Sequence, residues 1–352
     1  MPDDRTTVTE IATALGTLAF PTAAAAIAAR PTEMQLSETT WTHLSELFDA
    51  GRFVTEFTTA FANGRAFLHA ADALKGRPPS VIEWTGGRRP PGDEVAPIDL
   101  RIDHVYLISC KYFSANITNA SPARVFDGLL ATHGTWDRSD WYALVAADEY
   151  QALYRACRDA VELSALPSSA RDLTTEQRQI LRRALPGRKY PPGVESIYAA
   201  FCTSVSRASA QRWRASIEAS STDAAEALLW RLLRIGNAPY FLLGADTNRA
   251  LRFRVASPWD WRQHFRFRRL DIAAATAGQP RVDWVAVCEH RPTRTERVVH
   301  GHVEVRWSHG RFAQPPEAKV YLDVSIDTLP GYFPLEGQPP QLPLWNTASS
   351  SA

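Results

Sequence analysis

The chain has 352 residues, 45% of them apolar and eleven of them Trp, which excludes global disorder and allows two domains or one domain with a large insertion. Its formal net charge of +1 names no partner, but the total hides a polarised distribution. Residues 1–60 carry eight Asp/Glu against three Arg and no Lys, while 249–269 carry seven Arg against one Asp.

The four cysteines, Cys110, Cys157, Cys202 and Cys288, lie far apart without a Cys-x-x-Cys pair. That spacing argues against a zinc site or a disulfide framework and for reduced thiols in the cytoplasm. The stretch 11–29 lacks charged residues, but it is Ala/Thr-rich, contains Pro21 and follows an acidic start. It suits neither a signal peptide nor a membrane span, and is expected to be a helix packed on a soluble domain.

Apolar residues at three- and four-residue spacing predict helices over 40–50 and 53–74, ending near Gly76. A short strand is expected at 80–84, then a Gly/Pro-rich loop over 85–96. Alternation at 98–103 and 105–112 predicts two strands that turn near Asp103-His104. Ser121-Pro122 has the signature of a helix start. Helices follow at 141–163, 174–185, 194–219 and 223–235, and strands at 240–244, 251–256, 266–273, 281–289, 298–307 and 319–326. The tail from 337 is Pro-rich and then Ser/Ala-rich, which is expected to be disordered.

Strand periodicity selects the side chains that can cooperate. Asp99, Arg101 and Asp103 share one face of the first strand, while Ser109 and Lys111 point the same way on the second. A hairpin turning at 103–104 sets Asp99 opposite Ser109. A carboxylate, a hydroxyl and an amine therefore meet at one end of a two-stranded ribbon. Lysine is rare in this chain (Lys75, Lys111, Lys189 and Lys319 only), so Lys111 within apolar strands carries weight. A buried Lys needs an anion, which Asp99 or a phosphate would supply. An ordinary cross-strand ion pair would have the same appearance.

At these residues the chain resembles the PD-(D/E)XK nuclease superfamily, which includes many restriction enzymes and repair exonucleases. The proline-aspartate half resembles Pro97-Ile98-Asp99, with one residue inserted, and the acid-x-lysine half resembles Ser109-Cys110-Lys111. The resemblance covers residues 53–132. It implies an α/β fold with a restriction-endonuclease-like core sheet flanked by helices, a helical insertion and a β-rich C-terminal segment. The expected order is a helical region at 1–50, the nuclease core at 51–135, the insertion at 136–236, the β-rich segment at 237–335 and a tail at 336–352. The strand at 240–244 is the candidate to return to the core sheet.

The resemblance further implies Mg²⁺- or Mn²⁺-dependent cleavage of DNA, in restriction or anti-phage defence. Asp99 would bind metal, and Lys111 would orient water and hold a phosphate oxygen. Ser109 stands where the family has Glu or Asp, and a hydroxyl is a poor ligand for a hard cation. Either another carboxylate substitutes, with Asp127 first and Glu56, Glu83 and Asp103 behind it, or the site is inactive by decay or by engineered replacement. An inactive site would leave a nucleic-acid-binding or adaptor module, and an RNA nuclease would use the same residues. A homodimer is expected by analogy, since two strands need two sites. No membrane partner is implied.

Two further segments could contact nucleic acid. Arg249, Arg252, Arg254, Arg262, Arg266, Arg268 and Arg269 alternate with aromatics that could stack on bases or face the core. His309 and Arg311 precede a second acid-x-lysine, Glu317-Ala318-Lys319, which lacks a Pro-Asp strand at hairpin distance. Arg182, Arg183, Arg188 and Lys189 form a basic stretch that would equally be a solvated loop. The chain has no phosphate-binding Gly loop before a helix and no Gly-x-Ser-x-Gly elbow.

Overall fold

The computed structural model describes residues 3–86, 98–112, 116–131, 140–185, 189–246 and 249–335. Pro97, Arg188, most of the expected 85–96 loop and the expected tail lie outside them. The fold is mixed α/β with two sheets, and among the described residues no helix is long and apolar enough to cross a membrane. The chain divides into two compact units, each gathered from segments distant in sequence. The first is Met1–Ser114 with Gly236–Pro258 and Gly331–Ala352; the second is Ala115–Ile235 with Trp259–Pro330.

In the first unit, helices α1 (Asp4–Gly16), α2 (Ala23–Ala29), α3 (Glu38–Asp49) and α4 (Val54–His69) precede strands β1 (Ile82–Trp84), β2 (Leu100–Ile102) and β3 (Tyr106–Tyr112). Much later in the chain come β5 (Tyr240–Ala245), β6 (Ala250–Val255) and β11 (Tyr332–Pro334). The sheet order is β1-β2-β3-β5-β6-β11, antiparallel throughout except where β5 runs parallel to β3. The strand expected at 240–244 thus joins the sheet that holds Ser109 and Lys111. The expected helix over 53–74 stops at His69, because Ala70 is extended and Gly76 closes the end by donating to the Leu68 carbonyl.

Helix α1 is buried from Thr7 to Gly16, which its sequence permits because the threonines satisfy themselves. The Thr9, Thr13 and Thr17 hydroxyls donate to carbonyls one turn back, so little polar surface remains to be hydrated. It crosses α4 at Gly16 and Gly64, where a Cβ on Gly64 would lie 2.0 Å from the Thr13 carbonyl oxygen. Phe67 of α4 packs edge-on against Phe241 at 4.9 Å and Tyr106 at 5.7 Å, fixing the helix pair to the sheet. The N-terminal region is therefore part of this unit's core.

In the second unit, β4 (Asn116–Ala120) is followed by α5 (Pro122–Phe126), α6 (Trp141–Val145), α7 (Ala147–Ala160), α8 (Thr175–Ala184), α9 (Glu195–Glu218) and α10 (Thr222–Leu232). Then come α11 (Pro258–His264), β7 (Phe265–Thr276), β8 (Pro280–His290), β9 (Thr295–Arg306) and β10 (Glu317–Leu322). The strands form an antiparallel sheet ordered β4-β10-β9-β8-β7. Val282, Trp284, Ala286, Val303, Val305, Ala318 and Val320 are buried, alternating with half-exposed polar residues. Helix α9 packs on β7 and β8. The expected insertion and β-rich segment are thus one unit in part, since a one-sided sheet needs a helical cover.

On this sheet His302 of β9 donates or accepts through Nδ1 at 2.8 Å from both Asp323 oxygens, with Glu304 3.8 Å from Nε2 and Tyr321 stacked on the ring. Burial works against its charged form, but bonds to Glu304 and Asp323 outweigh that and raise its pKa above the ordinary 6.5. Stability gained this way is fully present below the ordinary value and is lost as pH rises through the raised one. His302→Asn should therefore lower the melting temperature at about pH 5.5 and have a shrinking effect towards about pH 9 in thermal melts. For the first unit, Gly64→Ala should cost about 1–3 kcal/mol or more in denaturant titrations, since backbone must move to admit the methyl.

Candidate active site

Strands β2 and β3 are joined by a three-residue turn, Asp103–Val105, in which Asp103 (φ 50°) and His104 (φ 57°) are both left-handed and the Val105 N–H donates to the Ile102 carbonyl. Asp tolerates this conformation, and its carboxylate accepts N–H groups from Ser80 and Val81 and pairs with Arg77. Pairing runs Leu100 with Ile108, Arg101 with Leu107 and Ile102 with Tyr106, and Asp99 stands just before β2, outside that register. The Asp99 N–H donates to Ile108, and its Oδ2 accepts the Cys110 N–H at 2.6 Å. The carboxyl group is thereby held where β2 begins.

On its other edge β3 pairs Ser109 with Leu242 and Lys111 with Gly244. A Cβ on Gly244 would lie 1.8 Å from the Lys111 carbonyl oxygen, so glycine allows β5 to approach the lysine backbone. Ser109 is buried. Asp99, Ser109 and Lys111 are thus brought to one end of adjoining strands.

A polar network supports β3 at the same end. The Tyr112 hydroxyl bonds Thr13 Oγ1 at 2.7 Å and accepts from Asn63 Nδ2 at 3.2 Å. Fully buried Asn63 also donates to the Gly244 carbonyl and accepts from Arg252 Nε at 2.8 Å. Four elements, α1, α4, β3 and β6, are thereby tied to β5. The Cys110 thiol is pushed well up by burial, then by the Asp99 and Glu10 charges, which leaves it a poor nucleophile.

Glu10 was not among the residues the sequence singled out. It sits on α1, only 6% exposed, and its Oε2 accepts Trp84 Nε1–H at 2.6 Å. Burial, followed by the Asp99 charge, pushes its carboxyl up to about 8, against the opposing Trp84 bond. The sequence did carry a signal: Glu10 stands between Thr9 and Ile11 in a helix otherwise uncharged from Thr6 to Gly16. Glu10 and Asp99 are thus electrostatically coupled carboxyls. Among the described residues no three His, Cys, Asp or Glu side chains converge on a metal position.

The expected substitute acids sit elsewhere. Asp127 lies in the second unit, held by both arms of Arg212 at 2.8–2.9 Å. Glu56 pairs with Arg5, and Glu83 lies opposite Arg101 with His104 3.6 Å away, towards the hairpin turn. Asp103 serves that turn.

The 249–269 arginines do not form one surface. Arg249, Arg252 and Arg254 belong to the first unit, and Arg262, Arg266, Arg268 and Arg269 to the second. Arg252 bonds Asn63, Arg254 lies 3.9 Å from Asp72, and Arg262, Arg268 and Arg269 pair with Glu226, Glu289 and Asp271. Phe253, Trp261 and Phe265 are buried and Trp259 is exposed, so most of these aromatics serve the cores. His309 is 3.7 Å from Glu317, which also accepts the Ser308 hydroxyl. Lys319 lies between Glu304 and Asn119 across its neighbouring strands. Arg311 is stacked on Tyr190.

Compared with family models, curated proteins and solved structures, the chain matches none.

A carboxyl whose pKa is raised on folding holds its proton more tightly in the folded state, so stability falls as pH rises from 4.5 to about 8. Glu10→Gln should remove that decline, on the order of a few kcal/mol. Denaturant titrations in EDTA at about pH 5 and 8 test this; an unchanged pH dependence in the variant would contradict it.

Proposed function

We propose that the first unit is a restriction-endonuclease-like core that hydrolyses DNA phosphodiester bonds with Mg²⁺ or Mn²⁺. The observation that carries this reading is a contact: the Asp99 carboxylate, just before β2, accepts the N–H of Cys110, the β3 residue between Ser109 and Lys111. The return of β5 alongside β3 supports it, as does a second carboxyl, Glu10, within electrostatic reach of Asp99.

Asp99 and Glu10 would hold the metal, with Glu10 reaching Asp99 from the α1 side of β3, the side of Cys110 and Tyr112. When bound, the ion would lower the pKa of a coordinated water and stabilise charge on the scissile phosphate. Lys111 holds a phosphate oxygen and orients the water that attacks phosphorus. The opposite P–O bond breaks and its oxygen leaves with a proton from solvent. Ser109 supplies a neutral hydroxyl beside Asp99, so the site carries less negative charge than one with Glu at that position. Reduced charge also favours a second reading, in which the site binds nucleic acid without cutting it.

Plasmid cleavage in Mg²⁺, Mn²⁺ or EDTA separates these readings. Metal-dependent cutting should fall at least about 100-fold in Lys111→Ala and Asp99→Ala. Glu10→Gln should raise the metal concentration needed for half-maximal cutting. Activity confined to Ser109→Glu would identify an inactive site, and equal cutting by Lys111→Ala would remove these residues from the mechanism.

A further inference from the structure

The structure joins two basic segments that are far apart in sequence, and neither is used by the proposed active site. Helix α8 ends with Arg182 and Arg183, and Lys189 and Tyr190 follow. The other segment is His309-Gly310-Arg311, between β9 and β10. The Arg182 side chain lies against Gly310, where a Cβ would be 2.8 Å from its Nε. Arg311 donates to the Lys189 carbonyl at 2.9 Å, and its guanidinium lies 3.8 Å from the centre of the Tyr190 ring. Arg178, one turn earlier on α8, donates to the Phe312 carbonyl at 3.0 Å and anchors the two segments together. All of these residues belong to the second unit.

Charge balance separates this surface from the 249–269 run. In that run Arg252, Arg254, Arg262, Arg268 and Arg269 are committed to Asn63, Asp72, Glu226, Glu289 and Asp271, and Arg249 also has a partner. Arg182, Arg183 and Lys189 are exposed, and among the described residues no carboxylate lies within ion-pair distance of them. The nearest acids along these segments are committed or distant. Glu317 holds Ser308 and His309, and Glu176 sits in the opposite, first turn of α8. Glu195 opens α9 six residues after Lys189.

We infer that Arg182, Arg183, Lys189 and Arg311 form a surface that binds the phosphate backbone of duplex DNA. Stacking on Tyr190 and bonding to the Lys189 carbonyl hold Arg311 in place, so less side-chain freedom is lost when it meets a phosphate. A surface of this kind contacts phosphates without reading bases, so it supplies affinity rather than sequence choice. The choice of DNA as the polyanion rests on the nuclease reading, whereas the binding itself does not require cleavage.

The test is fluorescence anisotropy of a labelled duplex of about 20 base pairs with the full chain in EDTA, across a salt series. Arg182→Ala/Arg183→Ala/Lys189→Ala should weaken binding at least about 10-fold near 0.1 M salt and reduce the salt slope by roughly two to three. Arg266→Ala/Arg269→Ala should bind within about two-fold of the parent. Melting temperatures of both variants within a few degrees of the parent establish that they are folded. Unchanged affinity and slope in the triple variant, no duplex binding by the parent, or binding confined to RNA would each overturn the inference. Asp99→Ala distinguishes the two proposals: binding retained with cleavage absent from both parent and variant would sink the nuclease reading and leave this surface standing.

Discussion

The first unit depends on strand β3 being held on both edges. Antiparallel pairing with β2 brings the Asp99 carboxylate to the Cys110 N–H, and parallel pairing with β5 covers Ser109 and brings Gly244 against the Lys111 backbone. A slip of one residue on either side would turn Ser109 and Lys111 to the opposite face, exchanging them with Cys110 and Tyr112. The Tyr112–Thr13 bond and the Asn63 contacts oppose such a slip, because each would be lost and would strand a buried polar group. The packing of α1 and α4 and the register of the candidate site are thus the same constraint.

Electrostatics divides the two units more clearly than the total charge suggests. In the first, the feature that stands out is an uncomfortable acid, Glu10, buried on α1 and disfavoured by Asp99. In the second, several arginines are paired with carboxylates from other elements, as in Arg262 with Glu226 and Arg212 with Asp127. Long-range pairing of this kind converts a basic stretch of sequence into ordinary structure. Among the described residues, Arg182, Arg183 and Lys189 are exposed with no carboxylate within ion-pair distance.

Much of the fold was legible locally. The Asp103-His104 turn, the strands on either side of it and the long α9 all announce themselves through alternation, helical spacing or turn chemistry. The returning strand β5 was legible as an apolar run, Tyr-Phe-Leu-Leu, buried on both faces. Strand β4, Asn-Ile-Thr-Asn-Ala, was missed because it shows no apolar alternation, and β11 because three residues cannot display a period. At the site, Asp99, Ser109 and Lys111 were accessible because they are neighbours in one hairpin. Glu10 was not, because the uncharged stretch was read as starting at Ile11, one residue too late. Asp127 was a reasonable candidate from its position on the following helix. Its guanidinium partner, Arg212, lies 85 residues away on α9, beyond any local pattern.

The composition of the first unit has a consequence for the order in which the chain is made. Strand β3 ends at Tyr112, but its parallel neighbour begins only at Tyr240, and β11 completes the sheet at Tyr332–Pro334. During synthesis one edge of β3 therefore has no sheet partner while residues 113–239, including nearly all the helices of the second unit, are added. The edge that later carries Gly244 against Lys111 is open for that interval, and an open edge of this kind is a template for unwanted strand pairing. Interleaving the segments of the two units along the sequence thus postpones assembly of the site until most of the polypeptide exists.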